Sequence, residues 1–150
     1  SRSEADEYIK GYLRHYSGVD KYMHDVVEKA KKDGYAETMF ARRRYLPELT
    51  ASNANTRAFG ERVARNMPIQ GTAADIIKIA MIRVYERLER ENLAAKLIMQ
   101  VHDELIVEAP ENEKERVSAL LKEEMENAVK LSVALTADVH SGRTWYDAKG

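Results

Sequence analysis

No cysteine occurs in the chain, which excludes disulfides and thiolate metal sites and fits a cytoplasmic location. No apolar run approaches the roughly 20 residues that a membrane span requires, so no membrane partner is expected. The opening stretch SRSEADEYIK is polar and acidic, unlike a signal peptide. Internal repeats and low-complexity linkers are missing too. The 150 residues therefore read as a single unit, long enough to bury roughly 70% of the unfolded surface. Nor is there a basic excess: 24 Lys and Arg face 25 Asp and Glu, for a net charge of −1. That balance argues against a free-standing, nonspecific nucleic-acid binder.

What is present is charge that is unevenly spread. Residues 42–65 hold six arginines against two glutamates, and residues 111–126 hold six glutamates against three basic residues. One part of the chain can therefore meet a polyanion while another stays solvated. The first half reads as helical. Ser3 and Ser17 are candidate N-caps, each with an aspartate three residues on. The second helix, residues 18–33, should stop at Gly34, which suits the left-handed position after a helix. YAETMFARRRYLPEL then shows short extended segments around an arginine cluster, broken by Pro47. A third helix over 55–67 should end before Pro68, because proline disfavours helical geometry in the residue ahead of it.

QGTAADIIKIAMIRVYERLEREN carries the strongest helical period. Ile76, Ile77, Ala80, Met81, Val84 and Leu88 recur at helical spacing, Thr72 can cap the start, and Asp75 lies in the first turn near the positive dipole end. An acidic amphipathic helix is expected over 113–130, with Val117, Leu120, Leu121, Met125 and Val129 on one face. A last strand over 133–140 leads into SGRTWYDAKG, where Trp145 and Tyr146 read as a hydrophobic anchor of the tail. The fold class is α+β, with helices packed on a small antiparallel sheet.

Between the last two helices lies LIMQVHDELIVEAP, residues 97–110, in which two apolar runs flank His102, Asp103 and Glu104. Carboxylates are costly to bury unless something pairs with them, so these acids either face water on a turn or hold a cation. Neighbours in a regular strand point to opposite faces, and Asp103 and Glu104 would then not reach one ion. A tight turn at His102-Asp103 removes that restriction. His-Asp is not a favoured two-residue turn, and such local departures cluster at functional sites. A solvated hairpin end and a divalent-cation site both satisfy the pattern. Carboxylate oxygens suit Mg²⁺, which takes one or two carboxylates plus substrate phosphates. A two-metal centre would need further carboxylates from elsewhere.

QVHDE flanked by apolar strands resembles motif C of the family A DNA polymerases. RRRYLPEL, ERVARNMPIQGTAADIIKIAM and GRTWYDAK stand in the order that family shows, and the resemblance runs over residues 8–149. It implies a segment of a DNA-directed DNA polymerase, with about 1–75 on the fingers side and about 76–150 in the palm. By the same resemblance Asp103 is a catalytic Mg²⁺ ligand, Glu104 an auxiliary catalytic carboxylate, and His102 a neighbour of the primer end. Arg62, Asn66 and Gln70 match family positions that contact the primer–template duplex. All three carry N–H donors, and the minor groove offers acceptors common to every base pair. Pro68 is expected to put Gln70 on a separate turn before Thr72, so that three donors converge from two backbone segments. Arg42, Arg43 and Arg44 match a basic family stretch, with no role assigned to any one of them. The implied cofactor is Mg²⁺, and the implied partners are primer–template DNA, a dNTP and the remainder of the polymerase chain.

Two parts of the family pattern find no match. One is the other metal-binding aspartate, in a DYSQIELR-like motif. The other is the fingers helix of the K-x-x-x-[NF]-x-x-x-Y-G type that holds the incoming nucleotide. Thumb and exonuclease segments are missing as well, so the segment is expected to be inactive alone. Two further classes compete. A non-catalytic nucleic-acid-binding module would use Arg62, Asn66 and Gln70 without the acids. A Mg²⁺-dependent phosphohydrolase would need a second acid cluster, and Asp75, Asp138 and Asp147 sit in no such motif.

Overall fold

The polar opening stretch folds as a helix in the computed structural model, which describes residues 1–149. Helix α1 (Arg2–His15) starts at Ser1, whose hydroxyl accepts from the Glu4 amide while the Glu4 carboxylate accepts from the Ser1 amino group. That capping box makes Ser1 the cap, with Ser3 inside the helix. Ser17 is likewise the first residue of α2 (Ser17–Asp33), and Tyr16 holds the cap position without a side-chain bond. A cap needs non-helical backbone geometry, which the serine-to-aspartate spacing does not specify. Gly34 ends α2 at φ +79°, donating its N–H to the Ala30 carbonyl at 2.9 Å.

Strands β1 (Tyr35–Glu37) and β2 (Arg43–Tyr45) pair antiparallel in the register Tyr35↔Tyr45, Ala36↔Arg44, Glu37↔Arg43. A 3-10 turn, Pro47–Thr50, leads to α3 (Ala54–Asn66), capped by the Asn53 carboxamide oxygen on the amides of Asn55 and Thr56. Val27, Ala30, Ala36, Leu46, Leu49 and Ala64 form the core of this first unit, Ser1–Thr72. The α-helix ends at Asn66, ahead of Pro68 as expected, but the chain does not leave the helical path. A π-helical turn, Met67–Gly71, runs on directly into α4 (Thr72–Arg90). Proline removes one amide donor from the ladder, and a wider turn absorbs that loss without breaking the path.

The second unit, Ala73–Gly150, contains most of α4, β3 (Lys96–Val101), β4 (Glu104–Glu108), α5 (Lys114–Glu126) and the short α6 (Trp145–Ala148). The period read in α4 is its packing face: Ile77, Ala80, Val84 and Leu88 join Ala95, Leu105, Val117, Leu120 and Ala128 in one core. Burying a side chain such as Val84 or Leu120 contributes about 1.5–3 kcal/mol. Asn92 closes α4 at φ +52°, with bonds from Asn92 N–H to Glu89 and from Leu93 N–H to Leu88, a Schellman ending. The Glu113 carboxylate then accepts from the amides of Ala94 and Ala95 at 3.0 Å each.

Arg87 ties α4 to α5 through Glu124 at 2.5 Å and Glu123 at 3.2 Å, and also bonds Glu91 at 2.7 Å. Arg116 grips Glu91 with two guanidinium nitrogens. Those bonds, from Arg116 first and Arg87 second, pull the Glu91 carboxyl down to about 2.

Four expectations change here. Helix α5 stops at Glu126, where the Asn127 carboxamide bonds the Glu123 carbonyl, so Val129 lies outside it. Residues 133–140 form no strand, and neither of the two described sheets includes them. Trp145 and Tyr146 are exposed, Tyr146 at 89%, so they do not anchor the tail. Their four-residue helix is held instead by the Thr144–Asp147 capping box. Finally, the α+β class holds with two small antiparallel sheets, not one. No helix among the described residues is long and apolar enough to cross a membrane.

Candidate functional site

In the second unit the apolar runs of 97–110 form the β3–β4 hairpin. Its register runs from Lys96↔Glu108 through Leu97↔Val107, Met99↔Ile106 and Gln100↔Leu105 to Val101↔Glu104, with a bulge between Leu97 and Met99. Leu105 is buried in the core, and Leu97 and Val107 pack against it. The hairpin thus has a seated base and a polar end.

That end is a two-residue turn, His102-Asp103. His102 takes the left-handed conformation at φ +52°. Histidine tolerates that region better than most non-glycine residues, though it still strains the backbone. Gln100 offsets the strain by donating its side-chain N–H to the His102 carbonyl at 2.6 Å. Sequence reasoning missed Gln100, and the signal available was its polar side chain within an apolar strand. His102, Asp103 and Glu104 are all exposed. The tip offers two adjacent carboxylates to solvent, which suits a hard cation and supplies only part of a coordination shell. No cluster of three or more His, Cys, Asp or Glu able to hold a metal occurs among the described residues. Asp147 is engaged in capping α6, and Asp75 is buried in the first turn of α4, so neither forms a second acid site.

In the first unit α3 turns Gly60 and Ala64 inward and leaves Phe59, Arg62 and Asn66 exposed. The Arg62 guanidinium lies 5.9 Å from the Phe59 ring centre. Residues four apart share a helix face, so Arg62 and Asn66 present their donors together. Gln70 is also exposed, on the π-helical turn. It therefore follows Asn66 along one continuous helical path, which corrects the expectation of a separate backbone segment after a break at Pro68.

Arg43 bonds Glu37 at 3.4 Å and lies 4.4 Å from the Tyr35 ring centre, so it staples the β1–β2 hairpin.

The protein-family model for DNA polymerase family A matches residues 1–147. DNA polymerase I of Bacillus caldotenax is 55% identical over 149 residues, covering 99% of this chain and 17% of the relative. DNA polymerase I of Bacillus subtilis (strain 168) is 52% identical with the same coverage. The chain thus spans 17% of the length of these curated relatives. Among solved structures, the POL domain of Pol1 from M. smegmatis, in complex with DNA primer-template and dNTP, is 45% identical with a TM-score of 0.96. That match covers 100% of this chain and 26% of the other. With the family model spanning residues 1–147 and relatives more than half identical, the chain belongs to DNA polymerase family A.

Proposed function

We propose that this chain is the fingers-side and palm segment of a DNA-directed DNA polymerase, the Ser1–Thr72 unit belonging to the fingers side and the Ala73–Gly150 unit to the palm. The observation that carries the reading is the β3–β4 tip, which leaves the consecutive Asp103 and Glu104 both exposed to solvent in a chain of this family. QVHDE is then motif C. Asp103 holds a catalytic Mg²⁺, Glu104 is the auxiliary carboxylate, and His102 neighbours the primer end. Mg²⁺ held there would supply neutralisation of the negative charge that builds up in phosphoryl transfer.

The chain's own residues supply position. Gln100 fixes the turn that aims Asp103. Arg62, Asn66 and Gln70 donate hydrogen bonds to minor-groove acceptors shared by every correct base pair. The partners are primer–template DNA, a dNTP and the rest of the polymerase, in the cytoplasm. With one carboxylate pair and no nucleotide-binding helix, the 150-residue chain alone does not extend a primer.

The test is made in the complete polymerase carrying this segment. Asp103→Asn keeps the shape and loses the charge, so primer extension should vanish while DNA affinity holds. Glu104→Gln should cost less. If Asp103→Asn extends primers like the parent, the segment is a nucleic-acid-binding module without chemistry. If Glu104→Gln is the more damaging, the two roles exchange.

A further inference from the structure

Among the described residues only Thr38, Thr72 and Asp75 are buried polar or charged groups, and two of them meet at one place in the first unit. Thr38, 5% exposed, organises the β1–β2 connection. Its hydroxyl accepts from the amides of Phe40 at 3.2 Å and Arg42 at 3.3 Å, and its carbonyl accepts from Ala41 at 3.0 Å. The next residue reaches outside the turn. The Met39 N–H donates to the Thr72 hydroxyl at 3.1 Å, across 33 residues of sequence. Thr72, expected to cap α4, instead caps the hairpin connection from the end of the π-helical turn. Between them, Gly71 admits a close approach: a Cβ there would lie 2.6 Å from the Thr38 methyl carbon.

This contact falls where the helical path departs from α geometry. Pro68 contributes no donor to the ladder, and the π-type turn departs there from the regular i→i+4 bonding of an α-helix. Gln70 and Ile69 face solvent, so their own packing does not fix them. We infer that Thr38, Gly71 and Thr72 form a latch that holds the π-helical turn against the β1–β2 connection and thereby positions Gln70. The inference rests on the reading of Gln70 as a duplex contact. The three latch residues touch no substrate and act only through Gln70, as positioning residues for mismatch sensing.

The test uses the complete polymerase carrying this segment, with two readouts. The first is kcat/KM for matched against mismatched primer ends. The second is amide hydrogen exchange at Met39, Ile69, Gln70 and Gly71. Thr72→Val removes the acceptor without changing shape, Gly71→Ala drives the same elements apart, and Thr72→Ser keeps the hydroxyl. Thr72→Val and Gly71→Ala should each speed exchange at all four amides by roughly tenfold and reduce mismatch discrimination. Thr72→Ser should return both readouts toward the parent. In a Gln70→Ala background, Thr72→Val should change discrimination no further, because the latch has nothing left to position.

Unchanged exchange at Ile69, Gln70 and Gly71 overturns the latch. So does a Thr72→Val effect on discrimination that adds in full to Gln70→Ala, or parental discrimination in Thr72→Val where Gln70→Ala has lost it. If Gln70→Ala itself discriminates like the parent, the duplex reading fails, and the exchange data alone then decide whether the latch holds the turn. Where Thr72→Val does not fold, Gly71→Ala carries the same comparisons.

Discussion

The two units hold their candidate functional groups in different ways. In the second, the acids stand on a hairpin seated in a core of Ile77, Val84, Leu88, Leu105, Val117 and Leu120, in a unit that also carries the Arg87–Glu91–Arg116 ion cluster. In the first, the donors stand on a helical path that passes through a π-type turn over a core rich in alanine, with threonine hydroxyls joining backbone to backbone. A group that must keep one geometry gains from large-residue packing around its base. A surface that must respond to a slightly wrong duplex gains from a support that is specific yet locally weak. On this account the hairpin sets chemistry and the π-helical turn sets sensitivity.

The comparison can be broken first at the cores. Leu120→Ala, at a site of 0% exposure, should cost about 2–5 kcal/mol in urea unfolding of this chain. Leu46→Ala, at 1% exposure, should fall at the low end of that roughly 2–5 kcal/mol range, because its smaller neighbours leave less to lose. A reversed order would contradict the contrast between the two units.

A smaller effect is expected at the donors. Arg62→Ala or Gln70→Ala in the complete polymerase should slow extension on all sequences and alter mismatch discrimination, at about 1–3 kcal/mol per lost contact. Parental kinetics on both matched and mismatched primers would make this face a solvated surface.

The smallest effect concerns pH. The bonds from Arg116 and Arg87 hold the Glu91 carboxyl at about 2, below its ordinary 4.5. A carboxyl depressed by folding adds stability above its ordinary value and loses it as pH falls toward the folded one. The parent should therefore lose more stability than Glu91→Gln between pH 4.5 and about 2, and less so at high salt. Parallel melting curves for the two over that range would show that the cluster does not stabilise the fold.

Features encoded locally were legible in the sequence. The period of α4, the left-handed Gly34 and a polar tip at His102-Asp103 follow from residue spacing and turn chemistry. Features settled by distant partners were not. Pro68 looks like a stop, and only the Thr72–Met39 bond and the fit of Gly71 against Thr38 reveal a support for the turn that replaces it. Residues 133–140 have strand-like composition, yet they join neither described sheet, because a strand also needs a ladder partner that composition does not specify. Gln100 reads as one more polar residue until the hairpin closes and its amide reaches His102.

The central claim is that the hairpin tip is one part of a divalent-cation site, completed by groups outside this chain. NMR titration of the 150-residue chain with Mg²⁺ tests it most directly. Two carboxylates without substrate phosphates should bind weakly, because Mg²⁺ gives up its waters reluctantly. Shifts should therefore be confined to His102, Asp103 and Glu104, should not saturate below roughly millimolar Mg²⁺, and should disappear in Asp103→Asn. Tight saturation, or shifts centred anywhere else, would contradict the account.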